Sequence, residues 1–330
     1  MTSLLAPEGP DPVGAVALLG AAGADHLATF RALEDAVWAA TSLGPVVLEH
    51  VRLRSAELRG CAFCAAVRIR DAGVEVAPPA GVPDRAQLPV EVRAALTLAD
   101  VHLADPHRPE GAASEDDAAS DAEGVAATLG TAGVLETLLA CAGFASAELR
   151  IALGQNRPPV GDGIVDRPTG SVTAAVSATH WPQLTTSPLS SGWQPEGVDA
   201  RLAGAVGALL TAVWAAPEVT PAVRGSWAER GAQLHGVARG GAVHALLVPG
   251  ELAAGVDPAQ VRQWPSAFGV QDAEVMALAE QVWLDPAGVG PELTDPLRDR
   301  VGVGGVVRLT WAAIWTAQLQ RLVLVLHRRR

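Results

Sequence analysis

The sequence predicts an all-α protein made of two tandem helical units. Three observations carry this. Apolar positions recur at helical rather than alternating spacing, as in Val90, Val92, Ala95, Leu96, Ala99 and Leu103, or Val134, Leu138, Leu139, Ala142 and Leu149. Apolar residues make up 49% of the chain but aromatics only 4%, so the core must be built from Ala, Val and Leu, the vocabulary of close helix packing. Finally, the string AVWAA occurs at Ala36–Ala40 and again at Ala212–Ala216, an offset of 176 residues.

The repeat extends beyond the pentapeptide. The same offset pairs Pro45 with Pro221, Arg54 with Arg230, Ala56 with Ala232, Leu58 with Leu234 and Gly60 with Gly236. Further on, Asp105-Pro106 corresponds to Asp285-Pro286, and Val134–Leu153 resembles Val306–Leu324. Two degenerate copies of one unit are expected. At 330 residues the chain has room for two domains of about 150 residues each. The divisions expected are 1–154, a Pro/Gly/Ser-rich linker at 155–195, and 196–330. An acidic, small-residue stretch at about 106–124 reads as a mobile surface loop inside the first domain.

Composition excludes several functions. A net charge of -12 disfavours nucleic acid, whose phosphates require a surplus of cations on one face. Every basic residue is arginine, and neither lysine nor tyrosine occurs. A phosphate-loop lysine, a Schiff base and a Ser-Lys nucleophile are therefore excluded, since a guanidinium does not exchange its proton at working pH. The first apolar stretch, Val13–Ala22, lacks a preceding basic region, so no secretory leader is expected. The longest apolar run, Leu202–Ala216, spans about fifteen residues, short of the roughly twenty that cross a bilayer. A cytoplasmic protein with no membrane partner is the expectation.

The chemistry-bearing feature is Cys61-Ala62-Phe63-Cys64. The helix over Val46–Leu58 should stop at Gly60, a residue suited to the left-handed turn, and the next should begin at the dithiol. Two thiols three apart at a helix start lie on one face, within disulfide reach, where unpaired backbone N–H groups favour a thiolate. A zinc half-site is the competing reading, but no second C-x-x-C or spaced histidine pair completes it. Cys141 sits among Leu138, Leu139 and Ala142 and reads as a core residue. His102 and His107 are separated by the helix breaker Pro106 and read as surface. The Gly302–Gly305 run reads as a helix–helix turn rather than a nucleotide loop, and His235 and His244 as structural. No metal and no cofactor are assigned.

Around the dithiol the text is distinctive. Glu49 precedes Cys61 by twelve positions, and Asp71-Ala72 follows in VRLRSAELRGCAFCAAVRIRDA. Over about Ala36–Leu153 this resembles the AhpD/carboxymuconolactone-decarboxylase superfamily, in which a glutamate on one helix precedes C-x-x-C-x-x-x-H on the next. The resemblance implies tandem AhpD-like helical domains forming a pseudo-dimer, assembly into a homo-oligomer, and reduction of a hydroperoxide substrate with electrons from a lipoyl-type or similar external thiol. It implies Cys64 as the attacking thiol, Cys61 as the resolving thiol and Glu49 as the acid/base.

Arg68 stands where the family has its histidine. A relay through that position needs a group titrating near neutrality, which arginine is not. Arg68 is expected instead to hold the thiolate by charge and to pair with Glu49, leaving transfer from the thiol to Glu49 or water. His50, adjacent to Glu49, projects about 100° away and is not expected to replace the relay. At the aligned positions of the second half Cys61 becomes Val237, Cys64 becomes Gly240 and Glu49 becomes Gly225, so that copy lacks the site. The alternative reading is a non-catalytic or redox-responsive helical scaffold of the same fold. A thiol-free lactone decarboxylase is disfavoured by the paired cysteines.

Overall fold

The computed structural model describes residues 14–39, 42–69, 85–103, 115–158, 164–165, 199–248 and 256–328. They are mostly helical. In order these are α1 (Gly14–Ala22), α2 (Ala24–Trp38), α3 (Pro45–Arg59), α4 (Ala62–Ala66), α5 (Val90–Leu103), α6 (Glu115–Gly143), α7 (Ser146–Ala152), α8 (Ala200–Trp214), α9 (Pro221–Leu234), α10 (Ala242–Leu247), α11 (Pro258–Arg262), α12 (Val270–Leu284) and α13 (Pro291–Arg328). The two-residue strands β1 (Arg68–Ile69) and β2 (Ile164–Val165) form one parallel pair.

Local chemistry sets the helix limits. Pro45 and Pro221 occupy the first turns of α3 and α9, where a missing N–H costs nothing. Each helix then ends on a left-handed glycine, Gly60 at φ 69° and Gly236 at φ 66°. In both, the glycine N–H reaches a carbonyl three residues back and the next residue's N–H one five back: Gly60 to Glu57 and Cys61 to Ala56, Gly236 to Gln233 and Val237 to Ala232. This is the Schellman arrangement, which a side chain at the glycine would strain. The long helices α6 and α13 are each broken at one residue, Gly130 (φ 65°, ψ 172°) and Gly302 (φ 71°, ψ 173°). Gly302 thus joins two helical segments, as a helix–helix turn should.

One apolar cluster runs through both halves. It joins Leu18, Phe30, Leu33, Val37, Leu98, Leu138 and Leu149 to Leu202, Val206, Leu209, Trp227, Leu278, Trp311 and Trp315. Helices α2 and α8 pack on each other, and α13 lies against α1, α5, α6 and α7 as well as α8, α9, α10 and α12. The fully buried Trp311 makes edge contacts with Phe30 at 6.1 Å and Trp315 at 5.9 Å, joining α2 to α13.

Three expectations need revision. Of the acidic stretch 106–124, residues 106–114 lie outside the described residues, but Glu115–Gly124 form the first turns of α6. His102 is not on the surface but 1% exposed, because α5 turns that face toward α13. Two helical stretches, Gly124–Ala152 and Pro291–Leu326, are long and apolar enough to cross a bilayer, although no uninterrupted apolar run in the sequence is. The apolar windows of these stretches are 61% and 72% buried against the rest of the chain, the pattern of core helices. Most of the linker expected at 155–195 lies outside the described residues, as does Asp71-Ala72.

Candidate functional site

The Schellman turn at Gly60 delivers Cys61 to the N-cap of α4, and the single turn Ala62–Ala66 carries Cys64 back over it. The two cysteines form a disulfide with Cα atoms 5.3 Å apart. Cys61 Sγ also accepts a hydrogen bond from the Cys64 N–H at 3.2 Å. Cys61 is 1% exposed, packed among Ala56 of α3 and Ala147 and Ile151 of α7, whereas Cys64 is half-buried at the rim. The two sulfurs are thus inequivalent. One is fully buried and the other only half-buried.

Glu49 lies under the same turn, 1% exposed. Its carboxylate is taken by Arg52, one helical turn along α3, in a bidentate pair with Nε to Oε2 and Nη2 to Oε1 both at 2.6 Å. The Ile69 N–H donates to Oε1 at 3.2 Å. Among the described residues neither oxygen bonds a cysteine sulfur. Arg52 uses its remaining donors on backbone, Nη1 to the Cys64 carbonyl at 2.7 Å and Nη2 to the Val67 carbonyl at 2.6 Å. A flat guanidinium fork suits this bridge, since it can meet a carboxylate on one edge and carbonyls on the other.

The pairing expected between Arg68 and Glu49 is therefore corrected to Arg52 and Glu49. The physical reason is reach. Helix α4 ends at Ala66, so Arg68 lies in β1 rather than one turn beyond Cys64 on a continuing helix. Its Nη1 instead donates to the carbonyls of Ala65 and, at 2.9 Å, Val67. Burial, and then the neighbouring Arg52, pull the Arg68 guanidinium below its ordinary range. His50 bonds the Val46 carbonyl through Nδ1 at 2.8 Å, the ordinary backbone satisfaction of a helix histidine.

Other residues complete the surround. The Arg150 guanidinium lies over the Phe63 ring at 3.8 Å, pinning the residue between the cysteines. Asn156 reaches back to the turn, with Nδ2 donating to the Gly60 carbonyl at 2.9 Å and Oδ1 accepting from the Phe63 N–H at 3.4 Å. Cys141 is fully buried, and burial pushes its thiol up to about 11, which makes it an inert core residue.

Sequence reasoning brought Glu49, Cys61, Cys64 and Arg68 to one turn but missed Arg52, Arg150 and Asn156. For Arg52 a signal existed, the opposite-charge spacing of i and i+3 with Glu49 on one helix. Asn156 and Arg150 carry no local signal; they arrive from after α6, more than eighty residues downstream.

The turn after α9, in the second half, carries different chemistry. Helix α10 begins at Ala242, after the Gly236 turn, and presents His244, whose Nε2 lies 3.0 Å from Glu229 Oε2. Gly231 abuts the Gln320 side chain, so even a methyl there would displace it. No thiol occurs in this half. Among the described residues no three His, Cys, Asp or Glu side chains converge as a metal site. No family model, curated protein or solved structure matches the chain.

Proposed function

We propose that the chain is a thiol-dependent hydroperoxide reductase whose dithiol is Cys61 and Cys64. The observation that carries this reading is the inequivalence of the two sulfurs: Cys64 is half-buried while its disulfide partner Cys61 is 1% exposed. An attacking thiol must be reached by substrate, and a resolving thiol need only reach its partner. The Cys64 thiolate attacks the terminal peroxide oxygen, the O–O bond breaks, and the alkoxide takes a proton from water to leave as the alcohol. Cys64 becomes a sulfenic acid. The Cys61 thiol condenses with it, releasing water and forming the disulfide, which an external dithiol of lipoyl type reduces by exchange.

Thiolate formation here rests on charge rather than on a relay. Arg52, Arg68 and Arg150 stand about the turn, Arg52 pairing the Glu49 carboxylate beneath it, Arg68 bonding the Val67 carbonyl and Arg150 lying over the Phe63 ring. An electropositive surround lowers a thiol pKa without a shuttling imidazole. This assigns Glu49 and Arg52 to holding the turn and leaves the thiol proton to water.

The resemblance to AhpD-like proteins extends this proposal to the architecture, a pseudo-dimer of two helical units in a cytoplasmic homo-oligomer. It is supported by the shared 15-residue length of α2 and α8, the paired glycine turns after α3 and α9, and the matching breaks at Gly130 and Gly302. The second reading is a redox-responsive scaffold that forms the disulfide without rapid turnover. Arg68 in place of a titrating group and the engagement of Glu49 favour it.

Stopped-flow mixing of the reduced protein with a hydroperoxide separates the two. Rapid consumption of one equivalent of peroxide, saturating with peroxide concentration and abolished in Cys64→Ser, is expected, and Cys61→Ser should consume the same equivalent but stop at the sulfenic acid instead of the disulfide. Wild-type consumption no faster than Cys64→Ser ends the reductase reading and leaves the scaffold.

A further inference from the structure

Behind the dithiol lies a buried polar cluster that the peroxide chemistry does not use. Its hub is Glu148 on α7, 5% exposed and flanked by Ala147 and, a turn on, Ile151, the residues that pack on Cys61. Arg59, two residues before Cys61, donates from Nε to Glu148 Oε1 at 2.9 Å and from Nη2 to the Cys141 carbonyl at 3.0 Å. The other partners come from α13 in the second half. Gln318 Nε2 donates to both Glu148 oxygens at 3.1 Å, and its Oε1 accepts from Arg59 at 3.3 Å. Arg321 Nη1 reaches Glu148 Oε1 at 3.1 Å. His102 Nε2 lies 3.3 Å from Gln318 Oε1.

The charges in this cluster do not cancel. Gln318 is neutral, and burial pushes the His102 imidazole down to about 3, so it is neutral too. Burial opposes ionisation of Glu148, but Arg59 and Arg321 outweigh it by charge and hydrogen bonding and hold its carboxyl below the ordinary range. Two guanidiniums thus face one carboxylate, a surplus of one positive charge. Arg59 Nη1 is moreover buried and has no acceptor among the described residues. A buried cationic donor without an acceptor is costly unless an anion forms beside it at some stage.

We propose that Arg321 of the second half is a positioning residue for the redox step. Through Glu148 it holds Arg59 against the back of the dithiol turn, so that Cys61 becomes a thiolate in a positive field. This rests on reading Cys61–Cys64 as a redox dithiol, not on any particular oxidant. When the disulfide is reduced, an external dithiol's thiolate attacks Cys64 Sγ, and the electron pair of the broken S–S bond leaves on Cys61. The reductant's second thiol then displaces Cys64, so two electrons enter the protein and the reductant leaves as its own disulfide. A leaving thiolate stabilised by nearby positive charge departs faster and shifts the equilibrium toward the dithiol. The second half is then part of the site and not only packing for it.

The test is equilibration of the full chain in dithiothreitol buffers of graded reduced-to-oxidised ratio. Cys61 and Cys64 are alkylated and counted by mass spectrometry, with circular dichroism and urea melts confirming that each variant is folded. Arg321→Gln and Arg321→Met are expected to need a buffer about three- to tenfold more reducing for half-reduction, since the cluster behind the turn then loses its surplus positive charge and up to about one unit of thiol pKa is a tenfold change. Arg321→Lys, which keeps the charge, is expected within about twofold of wild type on the same scale. If folded Arg321→Gln matches wild type or shifts the other way, or if Arg321→Lys shifts as far as Arg321→Gln, the proposal is overturned. A wild type that never interconverts between dithiol and disulfide overturns the dithiol reading itself, a different outcome seen before any variant is made.

Discussion

Replacing Arg52 by leucine is expected to destabilise the protein by about 3–5 kcal/mol, the range for breaking a buried ion pair from one side. Three losses combine. The Glu49 carboxylate, 1% exposed, is left with only the Ile69 N–H, and the carbonyls of Cys64 and Val67 lose the donors that Arg52 supplies. The leucine returns some apolar burial but satisfies none of these atoms. Lysine in place of Arg52 should recover little, because one ammonium cannot span a carboxylate edge and two carbonyls together. The double variant Glu49→Leu/Arg52→Leu is expected to be more stable than Arg52→Leu alone, since removing both charges removes the unpaired one. Urea melts of the four proteins measure this. A cost below about 1 kcal/mol for Arg52→Leu, the level of a surface pair, would show that the clamp does not hold the turn.

Acidification is expected to weaken the fold through His102 well before ordinary carboxylates titrate. Burial pushes this imidazole from 6.5 to about 3 in the folded chain. The unfolded chain therefore takes up a proton as pH falls past 6.5, and the folded chain does not until near 3. More protons are bound by the unfolded state across that window, so the stability held above 6.5 is lost as pH drops toward 3. By linkage the loss is about 2 kcal/mol by pH 5 and on the order of 5 kcal/mol across the whole window. Glu148 adds to the same trend at lower pH, its depressed carboxyl losing its ion pairs as it protonates. His102→Gln keeps an amide that can meet Gln318 and removes the titration. Between pH 7.5 and 5.0 the buried Glu34, its carboxyl raised to about 7 by burial, acts in the opposite sense in both proteins, so urea melts should show wild type losing about 2 kcal/mol relative to His102→Gln over that step. Equal changes in both proteins would show that His102 contributes nothing to the acid response.

The dithiol turn was legible in the sequence because the interactions that build it are local. Gly60 ends α3 through bonds to Glu57 and Ala56, and Cys61 caps α4 through the Cys64 N–H, all within five residues. Turn chemistry of this kind depends on residue type and order alone. The glutamate on the preceding helix was legible for the same reason, at whole-turn spacings on one helix. What failed was its partner: the pattern named Arg68, across a helix end whose position was misjudged, when Arg52 stood one turn away.

Helical periodicity likewise marked which faces are buried, and so the all-α class followed from the order of Ala, Val and Leu. It did not say what those faces meet. His102 and Gln318 are 216 residues apart, Arg59 and Gln318 are 259, and Glu148 and Arg321 are 173. A sequence pattern places each on an inward face, where a charged or polar residue looks like an exception to be explained singly. Only the packing of α13 across α5 and α7 turns those exceptions into one hydrogen-bonded cluster, because buried polar groups must be satisfied by whatever lies within about 3 Å, however distant in the chain. By itself, then, the sequence determined the all-α class, the glycine stop of α3 and a pair of thiols on one turn. The tertiary structure decided which charges surround that turn, since long-range electrostatic partners are chosen by the meeting of faces that no local rule describes.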